Sequence, residues 1–455
     1  MTTTASVPEA PGALPLVGHA LPLFRNPLGF LRSLPAYGDL VQIRIGPQRA
    51  IVLCTPELTR YVLVSDRVFD KGGVLFDRAR EVLGNSVLTC PHSQHRRQRR
   101  LTQPAFHHVR LAGQAEVMLE HVNAVTACWN DGQVIDVPAD MEKITSRVLL
   151  ATMFSTMLSP ETMAHTSDDL TVVLAGIYRR MFLPAVLDGL PTTANRRYHR
   201  ANGRLRHTVT SAVGGRLGAV AHDGGGDDLL SILLNARDPE GDEPGLSDIE
   251  LADQAVTFFM AGVETAATTL AWSLHLLSRN RGVEERLHAE VDAVVGGRPA
   301  TYQDIPKLPL AGGIVRETLR LYPPVPLITR TTTRDTRLGG CCIPIGTTIA
   351  YSLYLIHHRP DTYSDPGRFD PGRWAATAGR SPERDAFFAF GGGARKCMGD
   401  QFGLAQAVLA LATIATRWKL RPAAGTDSRP QLSSTLRPKR LRMHTIDRAG
   451  DAPHY

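Results

Sequence analysis

A predominantly α-helical fold carrying small β-sheets (an α+β class) is what the sequence predicts, on three observations. From about 95 to 322 the chain runs as one apolar-periodic segment after another, with only short turns between them. Two zones nearer the ends, about 40–53 and about 325–351, alternate apolar and polar residues as strands do. One helical segment in the middle is long enough to cross the whole molecule and apolar nearly all round, which places it in the core.

The elements follow in chain order. Residues 1–15 are proline-rich and expected to be disordered. The N-terminus lacks a basic leader region and is broken by Pro8, Pro11, Pro15 and Pro22, so neither a signal peptide nor a spanning helix is expected. Leu40 to Leu53 reads as a hairpin around Gly46-Pro47, and Leu338 to Tyr351 repeats that pattern around Pro344 and Gly346. Ser247 and Glu250 have the spacing of a capping box, and no proline follows until Pro299. The apolar pattern persists to Leu277, so about thirty residues at ~1.5 Å each make a helix of roughly 45 Å. The low-polarity stretch Leu404 to Thr416 is too short for a bilayer and reads as a buried core helix. No repeat is visible, and the linker-like runs at 1–15, 223–228 and 375–384 are too short to separate domains. One domain over 1–455 is expected.

Composition narrows the function. Of 455 residues, 43% are hydrophobic and 21% charged, which excludes wholesale disorder and permits a large core without staples. The 51 basic and 44 acidic residues leave +7. That allows an anionic cofactor or an acidic protein partner and falls short of a nucleic-acid binder. Six irregularly spaced cysteines, with Cys341-Cys342 the one close pair, suggest reduced thiols in a cytoplasm, with neither a disulfide scaffold nor a zinc site.

Several segments carry chemistry. Cys397 lies in a glycine-rich turn before a helix expected to begin near it, with Arg395 and Lys396 alongside. A thiol so placed is expected to ionise and to act as a metal ligand or nucleophile. Phe390, Gly393, Arg395, Cys397 and Gly399 fill the pattern F-x-x-G-x-R-x-C-x-G. In the middle of the long helix, Ala261-Gly262-Val263-Glu264-Thr265 places an acid beside a hydroxyl in apolar surroundings. A carboxylate there costs several kcal/mol unless it finds partners. Threonine can bond back to its own turn and open a notch. Glu317 and Arg320 share a helix face, and by themselves they read as a surface ion pair. The basic run His95 to Arg100 alone would suit a nucleic-acid patch. The adjacent pairs His107-His108 and His357-His358 do not share a helix face and read as solvated or capping residues.

Taken together and in this order, these segments resemble the cytochrome P-450 family, the haem-thiolate monooxygenases. The resemblance implies that fold, with the long helix over a buried haem b (iron protoporphyrin IX). It implies that Cys397 is the iron ligand, that Phe390, Gly391 and Ala261 line the cofactor, and that Glu264 and Thr265 manage protons for dioxygen chemistry. Glu317 and Arg320, with Arg373 from the downstream FDPGRW segment, become a structural triad supporting the cysteine loop. His95 and Arg99 match the haem-contacting pair of the family, where most members carry tryptophan at the first place. With Arg330 and Arg395 they are the implied propionate partners.

Two electrons must come from outside, so a ferredoxin and ferredoxin reductase are implied, with Arg96, Arg97 and Arg100 left on the surface to dock the ferredoxin. A monomer is expected. Substrate contacts in this family come from about 68–90 and from helices near 171–190, here Phe69, Phe76, Leu88, Ile177, Met181 and Phe182, which implies an apolar pocket. The opening segment, with FDKGG, GNS and YRRM followed by ANRRY, is similar to streptomycete terpene oxidases. That likeness implies hydroxylation of a sesquiterpene hydrocarbon, with further oxidation to the aldehyde, in specialised (antibiotic) metabolism. Oxidation of a fatty acid or polyketide, haem-thiolate isomerisation and haem sensing are the other readings left open.

Overall fold

The computed structural model describes residues 6–154, 159–182, 187–223, 228–240, 245–375 and 385–448. The helices that position the site are α1 (Val74–Leu83), α2 (His92–Thr102), α3 (Val137–Phe154), α4 (Pro160–Phe182), α5 (Thr193–Asp223), α6 (Asp248–Arg279), α7 (Pro309–Leu321) and α8 (Asp400–Arg417). Among the described residues no helix is long and apolar enough to cross a membrane.

Helix α6 starts as the sequence predicts. Ser247 Oγ accepts the Glu250 N–H at 3.3 Å and the Glu250 carboxylate accepts the Ser247 N–H at 2.9 Å. It runs two residues beyond Leu277 and buries most of its length against α3 and α8. Close approach to α3 explains Gly262, where a Cβ would stand 2.8 Å from Leu149 Cδ2. Near its far end the Trp272 ring stacks on Tyr322 at 3.8 Å, and its indole N–H donates to Leu436 O at 2.7 Å.

The main sheet contains β1 (Leu40–Ile45), β2 (Gln48–Leu53), β3 (Phe69–Asp70), β4 (Leu327–Thr332) and β5 (Thr348–Ser352), in spatial order β1-β2-β5-β4-β3. Only β2 and β5 pair in parallel. The first hairpin turns at Gly46-Pro47 as expected. The second zone differs. Its hairpin joins Thr336–Leu338 to Cys341–Ile343, and Thr348–Ser352 leaves it to enter the main sheet. Gly339 and Gly340 both have positive φ, as a two-residue hairpin turn requires, and so outcompete Pro344 and Gly346 as the corner. The proline-rich opening also differs from its expectation: Pro8 and Ala10 exchange backbone hydrogen bonds with Gln42 of β1, and Ala10 is 3% exposed.

Beneath the sheet-to-helix junction sits a buried ion pair. Arg320 donates from Nε and Nη2 to both Glu317 oxygens, at 2.9 and 2.8 Å, and neither side chain is exposed. Its Nη1 bonds His357 O and Pro366 O, and Nη2 also reaches Arg368 O. Glu317 accepts in addition from Asp370 N and from the Trp374 indole, with Arg373 Nε at 3.4 Å. The surface-pair reading is therefore wrong, because α7 turns this face inward.

The His357-His358 pair is corrected as well: both rings are buried, and His357 Nε2 accepts the Phe388 N–H at 3.1 Å. Burial holds both imidazoles at about 3.

Removing one partner of the buried pair, as in Arg320→Ala, is expected to destabilise the protein by about 3–5 kcal/mol, read from denaturant unfolding. A histidine held neutral in the fold takes up its proton on unfolding, so stability falls as pH drops below ~6.5 towards 3. The double variant H357Q/H358Q should flatten that slope in thermal unfolding between pH 7 and pH 5.

Candidate active site

The loop from Phe388 to Asp400 is a tight backbone knot. Gly391 N–H donates to Phe388 O at 2.7 Å, and Cys397 N–H to Phe390 O at 2.9 Å. Gly391 and Gly393 take φ of +71° and +64°, and a Cβ on Gly393 would collide with the Leu63 carbonyl. Helix α8 begins at Asp400, three residues beyond Cys397 and later than expected. Cys397 is accessible on one side, yet the surrounding protein pushes its thiol up, against the Gly399 N–H, Arg99 and Lys396. Without a metal, desolvation outweighs the neighbouring cations and favours the neutral thiol. Such a sulfur loses its proton to a coordinating metal more readily than to water.

In the middle of α6 the burial is interrupted. Ala261 is exposed and Thr265 half-buried, one turn apart on the same face, while Phe259, Met260, Val263 and Ala266 are buried. This strip interrupts an otherwise buried helix. Thr265 Oγ1 donates back to Ala261 O at 2.7 Å, the local bond expected of a threonine there. Glu264 does not join this strip. Its Oε1 accepts from Ser434 Oγ at 2.5 Å and Thr435 Oγ1 at 3.0 Å, and burial still raises its carboxyl above the usual range.

A third cluster is cationic. Arg395 donates to Cys90 O and to Asp70 Oδ1, leaving its buried Nε without a partner. Arg330 on β4 is 2% exposed, with Nη1 unpartnered. Arg99 reaches the loop through Ala394 O and Lys396 O. Desolvation, with Arg395 and Arg99, holds the His95 imidazole at about 3. Lys71, which the sequence reading passed over, belongs here too: burial, Arg330 and Arg395 hold its amine well below normal, and it lies 4.4 Å from the Phe76 ring centre. Buried cations in excess of the Asp70 carboxylate, with orphaned N–H groups, fit a dianion, and the two propionates of haem are one.

The remaining predicted residues scatter. Phe69 belongs to the sheet core rather than to a pocket. Phe76 is buried on α1, Ile177 joins the helical core and Leu88 packs against it. Met181 and Phe182 end α4, and their side chains lie outside the described residues. Arg373 sits against Glu317 and Ser364, as the triad requires. Arg97 and Arg100 pair with Glu250 and Asp238 of this chain, while Arg96, its side chain 78% exposed, meets Glu240 at the surface.

A glycine-knotted cysteine loop, a long helix with an accessible strip and a cage of buried cations define the haem-thiolate class of oxidoreductase. The chain belongs to the cytochrome P450 family, whose family model matches residues 8–446, and it is accordingly a haem b monooxygenase. It is 46% identical over 418 residues to cyclooctat-9-en-7-ol 5-monooxygenase of Streptomyces melanosporofaciens, covering 92% of this chain and 90% of that one. Pentalenene oxygenase of Streptomyces avermitilis is 44% identical over 440 residues, 96% of this chain and 97% of that one. Cyclooctatin synthase of S. melanosporofaciens is 44% identical over 437 residues, 95% and 94% of the two chains. The crystal structure of the cytochrome P450DA heme domain superposes with a TM-score of 0.87 at 27% identity, covering 98% of each chain.

An unpaired buried guanidinium is a liability without its counter-ion. Arg330→Met is expected to stabilise the haem-free chain by about 1–3 kcal/mol in denaturant unfolding. The same change should speed haem loss to apomyoglobin.

Proposed function

We propose that this monooxygenase hydroxylates an apolar cyclic terpenoid, a sesquiterpene hydrocarbon such as pentalenene or a close relative, and carries it on to the aldehyde in specialised metabolism. The observation that carries this reading is 44–46% identity, over more than nine-tenths of the chain, to three Streptomyces terpene-pathway oxygenases. The buried apolar side chains of Phe76 and Ile177 support it. The enzyme is a single catalytic domain acting as a cytoplasmic monomer, with O2 as co-substrate and electrons from a ferredoxin and its reductase. Arg96 stays exposed for ferredoxin docking, with Arg97 and Arg100 paired within the chain.

Cys397 would hold the haem iron through its sulfur, and haem so bound would supply the dioxygen-activating chemistry. The chain does the rest. Arg330, Arg395, His95, Arg99 and Lys71 would hold the propionates, and Phe390, Gly391 and Ala261 would line the porphyrin. Glu317, Arg320 and Arg373 keep the cysteine loop in place. Thr265 presents a hydroxyl on the accessible strip of α6, and Glu264, with its carboxyl raised by burial, is a proton source behind it.

Reconstitution with ferredoxin, reductase and a panel of pentalenene, other cyclic terpenes and a fatty acid tests the substrate. Hydroxylated terpene is expected; a product from the fatty acid alone would overturn the terpenoid reading. Cys397→Ser should abolish the far-red Soret band of the reduced, carbon-monoxide-bound protein. Thr265→Ala should cut product per reductant consumed by roughly 10-fold or more, with the balance appearing as peroxide.

A further inference from the structure

The segment Ser433 to Thr435 joins strands β6 (Asp427–Leu432) and β7 (Leu436–Arg440), and its position beside Glu264 is not accidental packing. The hairpin is fastened on both sides. Leu436 N–H donates to Pro324 O at 2.9 Å, and Leu436 O accepts the Trp272 indole of α6. Thr435 Oγ1 also lies 3.2 Å from Thr268 Oγ1, one turn beyond Glu264. The tip is therefore a fixed platform, and it offers two hydroxyls to one carboxylate oxygen.

Both hydroxyls bind Oε1 of Glu264, and Oε2 has no hydrogen-bond partner among the described residues. Glu264 also lines a cleft of about 60 Å³ between α3, α4, α6 and the hairpin, with Glu142, Thr171, Ala175, Ser434 and Arg437 among its walls. That volume holds a short file of water. Glu142 is itself bonded to Thr171 Oγ1 at 2.6 Å. The cleft thus has a carboxylate on each of two walls, Arg437 as its cation and no other charged lining group. The strip of Ala261 and Thr265 lies on the adjoining face, about 100° around the helix from Glu264 at Thr265.

We infer that Ser434 and Thr435 are positioning residues that hold Glu264 as the gate between this cleft and Thr265, so that the protons of catalysis enter from the α3–α4–hairpin side. This rests on the reading of Glu264 and Thr265 as the proton-handling pair. Oε1 stays anchored while Oε2 takes up a proton from cleft water and passes it inward towards the Thr265 hydroxyl. The carboxyl returns to its starting state after each transfer, and the hairpin is chemically unchanged. Removing the two donors takes hydrogen bonds from the charged form of Glu264, so its carboxyl should become harder to ionise.

The test uses the haem-loaded protein and two kinds of measurement. Infrared difference titration of the carboxyl band, assigned by its loss in Glu264→Gln, reads the gate without turnover. S434A/T435V is expected to move that titration upward by about one unit, and the hydroxyl-retaining Ser434→Thr to leave it in place. In reconstituted turnover the same double variant should raise the solvent isotope effect and lower product per reductant, with the carbon-monoxide spectrum unchanged. Ala175→Phe, which fills the cleft without touching the hydroxyls, should reproduce the turnover effect and leave the infrared titration unmoved. An unshifted carboxyl band in S434A/T435V would overturn the positioning role, and unaltered coupling in Ala175→Phe would overturn the route. Full coupling in Glu264→Gln would instead refute the acid–hydroxyl pair itself, with the infrared arm still reporting whether the hairpin holds the carboxylate.

Discussion

The rest of the architecture depends on the bidentate pair of Glu317 and Arg320, sealed from water at the base of α7. Each partner spends its remaining bonding capacity on a different segment: Arg320 on the carbonyls of His357, Pro366 and Arg368, Glu317 on Asp370 N–H and the Trp374 indole. One ion pair therefore ties α7 to the long excursion between the sheet and the cysteine loop. In low dielectric such a pair is worth having only if every lone pair and proton is met, and here nearly all are. His357 carries the connection forward, accepting the Phe388 N–H at the threshold of the loop.

Above that base the molecule departs from the rule that buried charge is balanced. Arg395 pairs with Asp70 and, with Arg330, disfavours protonation of Lys71; Arg395 and Arg99 do the same to His95. A chain selected only for stability would not keep them. Their presence is intelligible as half of an electrostatic bargain completed by the cofactor's two carboxylates. Cys397 follows the same logic: burial opposes its ionisation, and coordination reverses the balance. Desolvation costs concentrate where the ligand belongs.

Much of this was legible in the residues. The capping box at Ser247, the glycine spacing before Cys397 and the E-x-x-R pair are local patterns whose chemistry depends on neighbours in sequence. What was misread depended on neighbours in space. Phe69 looks like a pocket aromatic until β3 places it in the sheet core. The histidines 357 and 358 look like surface residues until α7 and the segment at Phe388 close over them. Arg97 and Arg100 look like a free docking face until Asp238, Glu240 and Glu250 arrive from well over a hundred residues away. Lys71 was overlooked because a lone lysine carries no pattern; only the company of Arg330 and Arg395 makes it unusual.

The sequence alone determined the α+β class, the long buried helix, the thiolate loop and the family, because periodicity, capping and short motifs are properties of consecutive residues. Tertiary structure alone decided which charges are spent internally, which way Glu264 turns and which cations are left wanting an anion. Those outcomes depend on burial and on pairings across distant segments. The free energy of a charged group is set by what surrounds it, not by what adjoins it along the chain.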